Sequence, residues 1–203
     1  MERVTLIVYS DYLCPWCYNG AVRLERIEQE FAGAVALEWR SFLLRPRPPA
    51  ARSLEEFRVY TRSWLRPAAE PDSATFRVWE GDAGPPSHSV PPHVVAKAAA
   101  SLGEEPFRRI HRSLMHACFA ENRDITDAAT LQAIWREAGL PEAELARVAE
   151  PRFLDRTIED HNEAVRSGVN GVPAARVSDD DTFITGAYPL EMYRRWVTRL
   201  LAR

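Results

Sequence analysis

The spacing of apolar positions changes several times along the chain, and each change marks an element. Thr5–Ser10, "TLIVYS", is a continuous apolar run rich in β-branched residues, the pattern of a strand buried on both faces. Pro15 can take the first helical position, where its missing N–H costs nothing. Ala21, Leu24, Ile27 and Phe31 then recur at spacings of three or four, which predicts an amphipathic helix to about Phe31, with Gly33 as the stop. Val35–Phe42 puts Val35, Leu37 and Trp39 on one face of a second strand. Strand, helix and strand within ~40 residues make a βαβ unit, which should be parallel and right-handed.

The pattern breaks at "LLRPRPPA". From about Pro46 to Ser167 strand signal is almost absent. Ser53 with Glu56 forms a capping box that opens a helix through Trp64. Pro67 to Pro92 holds six prolines and reads as a loop, a candidate flap. Helices are predicted at about His93–Leu102, Glu105–Glu121, Asp127–Ala138, Glu142–Ala149 and Arg152–Ser167, with Gly103, Gly139 and Gly168 punctuating three of their ends. Strand signal returns in "PAARVS" and "TFITG", joined as a hairpin by the acidic turn Asp179–Asp181. Pro189 opens a closing helix with Met192, Tyr193, Trp196, Val197 and Leu200 as its apolar positions. An antiparallel pair added to a parallel βαβ unit, with helices between, is an α/β, thioredoxin-like arrangement with a large all-helical insertion. The expected division is a discontinuous thioredoxin-like domain over residues 1–45 and 168–203, and a helical insertion over 46–167.

Composition narrows the classes of function. At 203 residues, 46% apolar and 27% charged, the chain suits one sizeable soluble domain or a compact domain with an insertion. A net charge of −3 points to neither nucleic acid nor an anionic membrane as partner. Arginine outnumbers lysine 25 to 1, but the arginines are spread along the chain and matched by 29 acids. No segment approaches the ~20 apolar residues of a membrane span. The N-terminal apolar run is short and is followed by no small-residue cleavage site, so a cytoplasmic setting is expected. There a close cysteine pair is more often catalytic or metal-binding than a structural disulfide.

Two of the three cysteines, Cys14 and Cys17, stand in "SDYLCPWCYNG", where the first strand gives way to the first helix. Three readings compete: a redox dithiol, half of a metal site, or two small core residues. In the first turn of a helix, residues three apart lie within reach of a disulfide. Helix N-terminal N–H groups favour a thiolate at Cys14, while Cys17, one turn inside, should be the more buried. That asymmetry suits attack by one thiol and resolution by the other. A metal site would need two further ligands, yet Cys118 is about a hundred residues away, and His111 and His116 do not share a helix face. No metal ligand set is therefore assigned. Val172-Pro173 stands just before a predicted strand; a cis proline there would offer a backbone edge to an extended substrate, whereas a trans proline would mark an ordinary turn. Cys118 fits the apolar side of its helix, and His111 and His116 read as surface or core residues. Asp11 reads as a turn former or, alternatively, a proton-transfer group. Trp16 is expected exposed, as a platform for substrate, and Tyr18 packed. His88 or His93 would line a cleft over the dithiol.

"SDYLCPWCYNG" together with "GVNGVPAARV…ITGAYPLEMY" resembles the DsbA-type thiol–disulfide oxidoreductases, and more narrowly the FrnE-like branch grouped with 2-hydroxychromene-2-carboxylate isomerases and kappa-class glutathione transferases. "FAENRDITDAATLQAIWREAGL" resembles that branch's helical insertion. The resemblance puts the attacking thiol at Cys14, the resolving thiol at Cys17 and the cis proline at Pro173, with Pro15, Trp16 and Val172 facing substrate. It implies disulfide exchange with a protein or small thiol, no prosthetic group, and glutathione as a conceivable co-substrate. Three departures bear on substrate and potential. Ala174 and Ala175 follow the proline where aromatic residues are expected, and "GAYP" replaces the commoner "GAQP". Pro15-Trp16 lacks the histidine common in exported members, so a less oxidising couple is expected. The rival readings are a glutathione-dependent isomerase or transferase, whose members usually lack a full C-x-x-C, and a thiolate metal-binding module.

Overall fold

The structure, a computed structural model, describes residues 3–48, 53–178 and 183–202. Its sheet has the order β2-β1-β3-β4, formed by β1 (Val4–Ser10), β2 (Val35–Ser41), β3 (Ala174–Val177) and β4 (Phe183–Thr185). β1 runs parallel to β2, with Val4 opposite Val35 and Ser10 opposite Ser41, and antiparallel to β3, with Val8 opposite Ala175. β4 completes the antiparallel hairpin expected after Gly168. The acidic turn Asp179–Asp181 lies outside the described residues.

A central position explains why β1 is apolar throughout. Leu6 and Val8 face one side, packed with Leu24 and Ile27 of α1 (Pro15–Glu30) and with Leu190, Tyr193 and Val197 of the closing helix. Ile7 and Tyr9 face the other, against Phe42, Ala164 and Ala174. α1 follows the predicted period and stops just before Gly33, which takes the left-handed conformation at φ 81°.

Between β2 and β3 the described residues form only helices, turns and irregular chain. These are α2 (Leu54–Thr61), a 3-10 turn at Arg62–Trp64, α3 (Leu65–Ala68), α4 (Val90–Ala100), α5 (Glu104–Phe119), α6 (Ala128–Glu137), α7 (Glu142–Leu145), a second 3-10 turn at Ala146–Ala149, and α8 (Pro151–Arg166). α9 (Leu190–Leu201) closes the chain. The capping box holds: Ser53 Oγ accepts the Glu56 N–H at 3.2 Å, and Glu56 Oε2 accepts the Ser53 N–H at 2.9 Å.

The Pro67–Pro92 segment departs from the expected flap. α3 already covers Pro67, and α4 begins at Val90, because Pro91 and Pro92 fit a first helical turn whose N–H groups need no partner. The irregular stretch between them is pinned by Trp79, buried against Phe57 and Trp64, whose backbone N–H donates to Thr61 Oγ1 at 3.0 Å. Asn122 fixes the same stretch, accepting the Glu80 N–H at 2.9 Å and donating to the Arg77 carbonyl at 3.1 Å. An apolar cluster joins these helices to the start of α1, with Tyr12, Cys14, Cys17, Tyr18 and Ala21 packed among Phe57, Trp64, Val95, Leu114 and Phe119. The cysteine pair thus sits where the helical segment meets the end of the sheet.

Candidate active site

Leaving β1, the chain turns through Asp11–Cys14, and the Asp11 side chain makes the turn. Its Oδ1 accepts the Leu13 N–H at 2.6 Å and its backbone carbonyl accepts the Cys14 N–H at 3.2 Å. Oδ2 accepts the Leu44 N–H at 2.8 Å, so the same carboxyl ties the turn to the chain beyond β2. Asp11 is fully buried. Loss of solvent pushes its pKa up, against the pull of the Ser89 hydroxyl and the two backbone donors.

The turn delivers Cys14 to the N-cap of α1, where its extended backbone (φ −101°, ψ 112°) precedes Pro15. Its sulfur accepts the Cys17 N–H at 3.4 Å, and the thiol donates to the Val172 carbonyl at 3.5 Å. Cys14 is 6% exposed and Cys17 0%. Both are free thiols. Burial and the adjoining Cys14 push the Cys17 thiol well above its ordinary pKa; the Asp11 N–H, 3.5 Å from its sulfur, and the Ser10 hydroxyl pull the other way. Both residues are buried, but the two sulfurs differ in place: one at the N-cap of the helix, the other fully sealed one turn inside it.

Val172–Pro173 is a cis peptide bond. Pro173 lies flat against α1 at Gly20, where an added Cβ would stand 3.0 Å from Pro173 Cγ and 3.2 Å from its Cβ. Glycine at this position is what lets the proline reach the helix. The Pro173 carbonyl accepts the Gly186 N–H at 2.7 Å, which fixes the entrance of β3 to the end of β4. Cys14, Cys17, Val172 and Pro173 are thus brought together, with Pro15 partly exposed beside them.

Other candidates move. Trp16 was expected exposed but is half-buried, because the helical segment supplies an apolar cluster for it to lean on. Tyr18 packs as expected, stacked on Phe119 with centroids 5.7 Å apart, and its hydroxyl meets His116 Nδ1 at 3.2 Å. Cys118 is buried, and burial pushes its thiol far up, so it is a core residue. His88 pairs with the Ser87 hydroxyl. His93 and His111 are both buried: His93 Nε2 is 4.0 Å from Asp11 Oδ2, and His111 Nδ1 meets the Tyr12 hydroxyl at 2.9 Å. Among the described residues no three His, Cys, Asp or Glu side chains converge as a metal site.

Arg23 is a positioning residue that sequence reasoning missed. Buried on α1, it donates to the carbonyls of Ala187 (2.9 Å), Tyr188 (3.0 Å) and Pro71 (2.6 Å). It therefore holds the "GAYP" turn next to Pro173 and the Pro71 loop to one helix. An arginine on the polar side of an amphipathic pattern carries no sequence mark of such a role.

The buried histidines set a pH dependence. Burial pushes His111 down to about 3 and His93 well below its ordinary range. Below about pH 6.5 the unfolded chain therefore binds protons that the folded one refuses, and stability falls with pH through that window. Asp11 and Glu25, both raised by burial, oppose the loss because their folded carboxyls take up protons first. Comparison with His111→Gln isolates one histidine. Between about pH 6 and 4 the wild-type advantage should shrink by about 1.4 kcal/mol per pH unit in urea titrations. A gap that does not change with pH contradicts this.

The comparisons agree with this architecture. A family model described as DSBA-like thioredoxin domain matches residues 5–197. Among solved structures, a provisionally named protein disulfide isomerase from Nitrosomonas europaea superposes with a TM-score of 0.82 at 19% identity, covering 99% of this chain and 98% of that one. The cytosolic disulfide reductase DsbM from Pseudomonas aeruginosa, with GSH, gives 0.77 at 21%, covering 98% and 100%. A 2-hydroxychromene-2-carboxylate isomerase gives 0.70 at 16%, covering 97% and 95%. At these identities the likeness establishes the fold. No curated protein matches the chain.

Proposed function

The chain belongs to the family of DSBA-like thioredoxin domains, and from that premise we propose that it is a thiol–disulfide oxidoreductase of the FrnE-like branch, exchanging disulfides through Cys14 and Cys17. The observation that carries the reading is the pairing of an N-cap thiol with a sealed one beside the Val172 carbonyl and Pro173. Cys14, as thiolate, attacks a substrate disulfide; one substrate sulfur leaves as a thiol and the other stays bonded to Cys14. Cys17 then attacks Cys14, the mixed disulfide breaks, and the second substrate sulfur leaves. The dithiol has lost two electrons to the substrate, and every step runs in reverse.

Val172 and Pro173 offer the backbone edge on which an extended thiol substrate would lie, with Pro15 and Trp16 on the opposite side of Cys14. Residues 1–45 and 168–203 make the thioredoxin-like part in this reading, and 46–167 the insertion that covers α1. No prosthetic group is needed. In the cytoplasm, the setting proposed for it, glutathione is the available thiol and serves as co-substrate. The complete C-x-x-C favours exchange over the isomerase reading, which has no use for a second, buried thiol.

Equilibration with graded mixtures of reduced and oxidised glutathione tests the proposal. The protein should lose two hydrogen masses in a single two-electron transition, with a midpoint between about −270 and −120 mV. A chain that keeps both thiols at every ratio is not a disulfide oxidoreductase.

A further inference from the structure

The β4 edge of the sheet carries large apolar side chains that the core leaves exposed. Tyr188 is 39% exposed and Met192 48%. Both line a groove of about 370 Å³ between β4 and α9, with Ile184, Tyr193 and Trp196 as its other apolar walls and Arg195 and Arg199 completing the lining. Single apolar residues scattered over a surface are ordinary, but these share one concavity.

Hydrogen bonds lead from the dithiol to this groove. The Cys14 thiol donates to the Val172 carbonyl at 3.5 Å, and the next residue, Pro173, accepts the Gly186 N–H at 2.7 Å. Tyr188 follows two residues later. The turn that presents it is fixed from several sides. The Gly186 carbonyl accepts the Tyr193 hydroxyl at 3.0 Å and the Tyr188 N–H at 3.1 Å. From beneath, the buried Arg23 donates to the carbonyls of Ala187 and Tyr188. The Tyr188 ring meets Tyr193 edge-on, with centroids 6.4 Å apart. An aromatic side chain on so fixed a backbone loses little freedom when something packs on it.

The geometry points to this groove as the recognition site for the polypeptide that flanks the substrate's reactive cysteine, with Tyr188 as the residue that selects it. This rests on the exchange reaction proposed above and names its substrate class, an extended polypeptide with an apolar residue at a set distance from its cysteine. The chemistry dictates the occupant. Whatever Cys14 attacks becomes bonded to it, so the rest of that molecule must lead away over the surface around Cys14.

A chain laid along Val172 and Pro173 meets the Gly186–Tyr188 turn in one of its two directions. Arg23, which holds that turn, stands nine residues after Cys14, about 13 Å along α1. An extended chain covers this distance in about four residues. A small disulfide such as oxidised 2-mercaptoethanol ends far short of it. The groove makes and breaks no covalent bond; it adds binding alone and leaves the sulfur chemistry as it is.

Peptide homodisulfides test the assignment. Each peptide holds one cysteine and one leucine among serines and glycines, so that Arg195 and Arg199 add no ionic attraction. The leucine is moved stepwise away from the cysteine on either side. Oxidation of the reduced protein, quenched with acid and read by mass, gives the rate against disulfide concentration. Wild type should favour, by about tenfold, peptides with leucine about four residues away on one side. The gain should lie in a lower half-saturating concentration at an unchanged maximal rate. Tyr188→Ala and Met192→Gln, both at exposed positions, should each lose most of that preference. With oxidised 2-mercaptoethanol both variants should react like wild type. A wild-type profile that ignores the leucine, or a preference that survives in both variants, overturns the assignment. So does an equal loss on the small disulfide, which would make the two side chains supports of the dithiol. A wild-type dimer that Met192→Gln dissociates, without selectivity among the peptides, gives the groove to a second copy of the chain instead. Wild-type protein inert to every disulfide overturns the exchange reaction, and the role of the groove with it.

Discussion

Replacing Cys14 with serine should leave the protein folded and reduce disulfide exchange at least about a thousandfold, the scale on which loss of a nucleophile acts. Serine has nearly the shape of cysteine, is a preferred N-cap, and its hydroxyl can accept the Cys17 N–H that the sulfur accepts now. Stability should therefore hold or rise slightly while chemistry vanishes, because a serine hydroxyl neither ionises near neutral pH nor forms a disulfide. Cys17 cannot substitute for it: its sulfur is sealed, and burial disfavours its thiolate. Reduction of a generic protein disulfide, followed beside circular dichroism melting, reads both halves of the expectation. Retention of more than about a tenth of the activity would remove Cys14 from the attacking role.

The largest loss of stability should come from Asp160→Asn, far from the sulfur chemistry. Asp160 is 0% exposed on α8 and holds four partners: Arg40 at 3.2 Å, Arg156 at 3.3 Å, the Ser41 N–H at 3.0 Å, and Lys97. Lys97 is the only lysine of the chain. Through these bonds Asp160 joins α8 and α4 to the last residues of the edge strand β2. Removing the charge leaves two cations short of solvent, which costs about 3–5 kcal/mol for a broken buried pair. The urea midpoint should fall by about 2 M. Burial already pulls the Lys97 pKa down while Asp160 holds it up, so the variant should regain part of its loss as pH rises and Lys97 gives up its proton. A loss under about 1 kcal/mol would mean that the network behaves like a surface salt bridge.

What could be read beforehand was whatever local rules determine. The unbroken run of β1, the proline-led helix after Cys14 and the capping box at Ser53 each follow from contacts a few residues apart, and each stands where expected. The proline before β3 was legible for a related reason: a strand entrance that carries Pro173 demands explanation. What escaped notice depends on packing between distant segments. Nothing near Gly20 shows that Pro173 will press on it, and nothing near Arg23 shows that two loops will hang from it. Trp16 could be judged exposed only while the helical segment that completes the apolar cluster around it was unplaced. His93 and His111 lie on different helices and come together only when α4 and α5 pack. Val90 rather than His93 begins α4 because prolines that break a helix interior suit its first turn.

Mass spectrometry of Cys17→Ser after exposure to oxidised glutathione tests the central claim most directly. If Cys14 attacks and Cys17 resolves, blocking the second step must strand the first product, and the variant should accumulate one glutathione on Cys14, removable by a strong reductant. Cys14→Ser, treated alike, should stay unmodified, since its remaining thiols at Cys17 and Cys118 are buried. A Cys17→Ser protein that gains no mass and still turns over a disulfide would contradict the account.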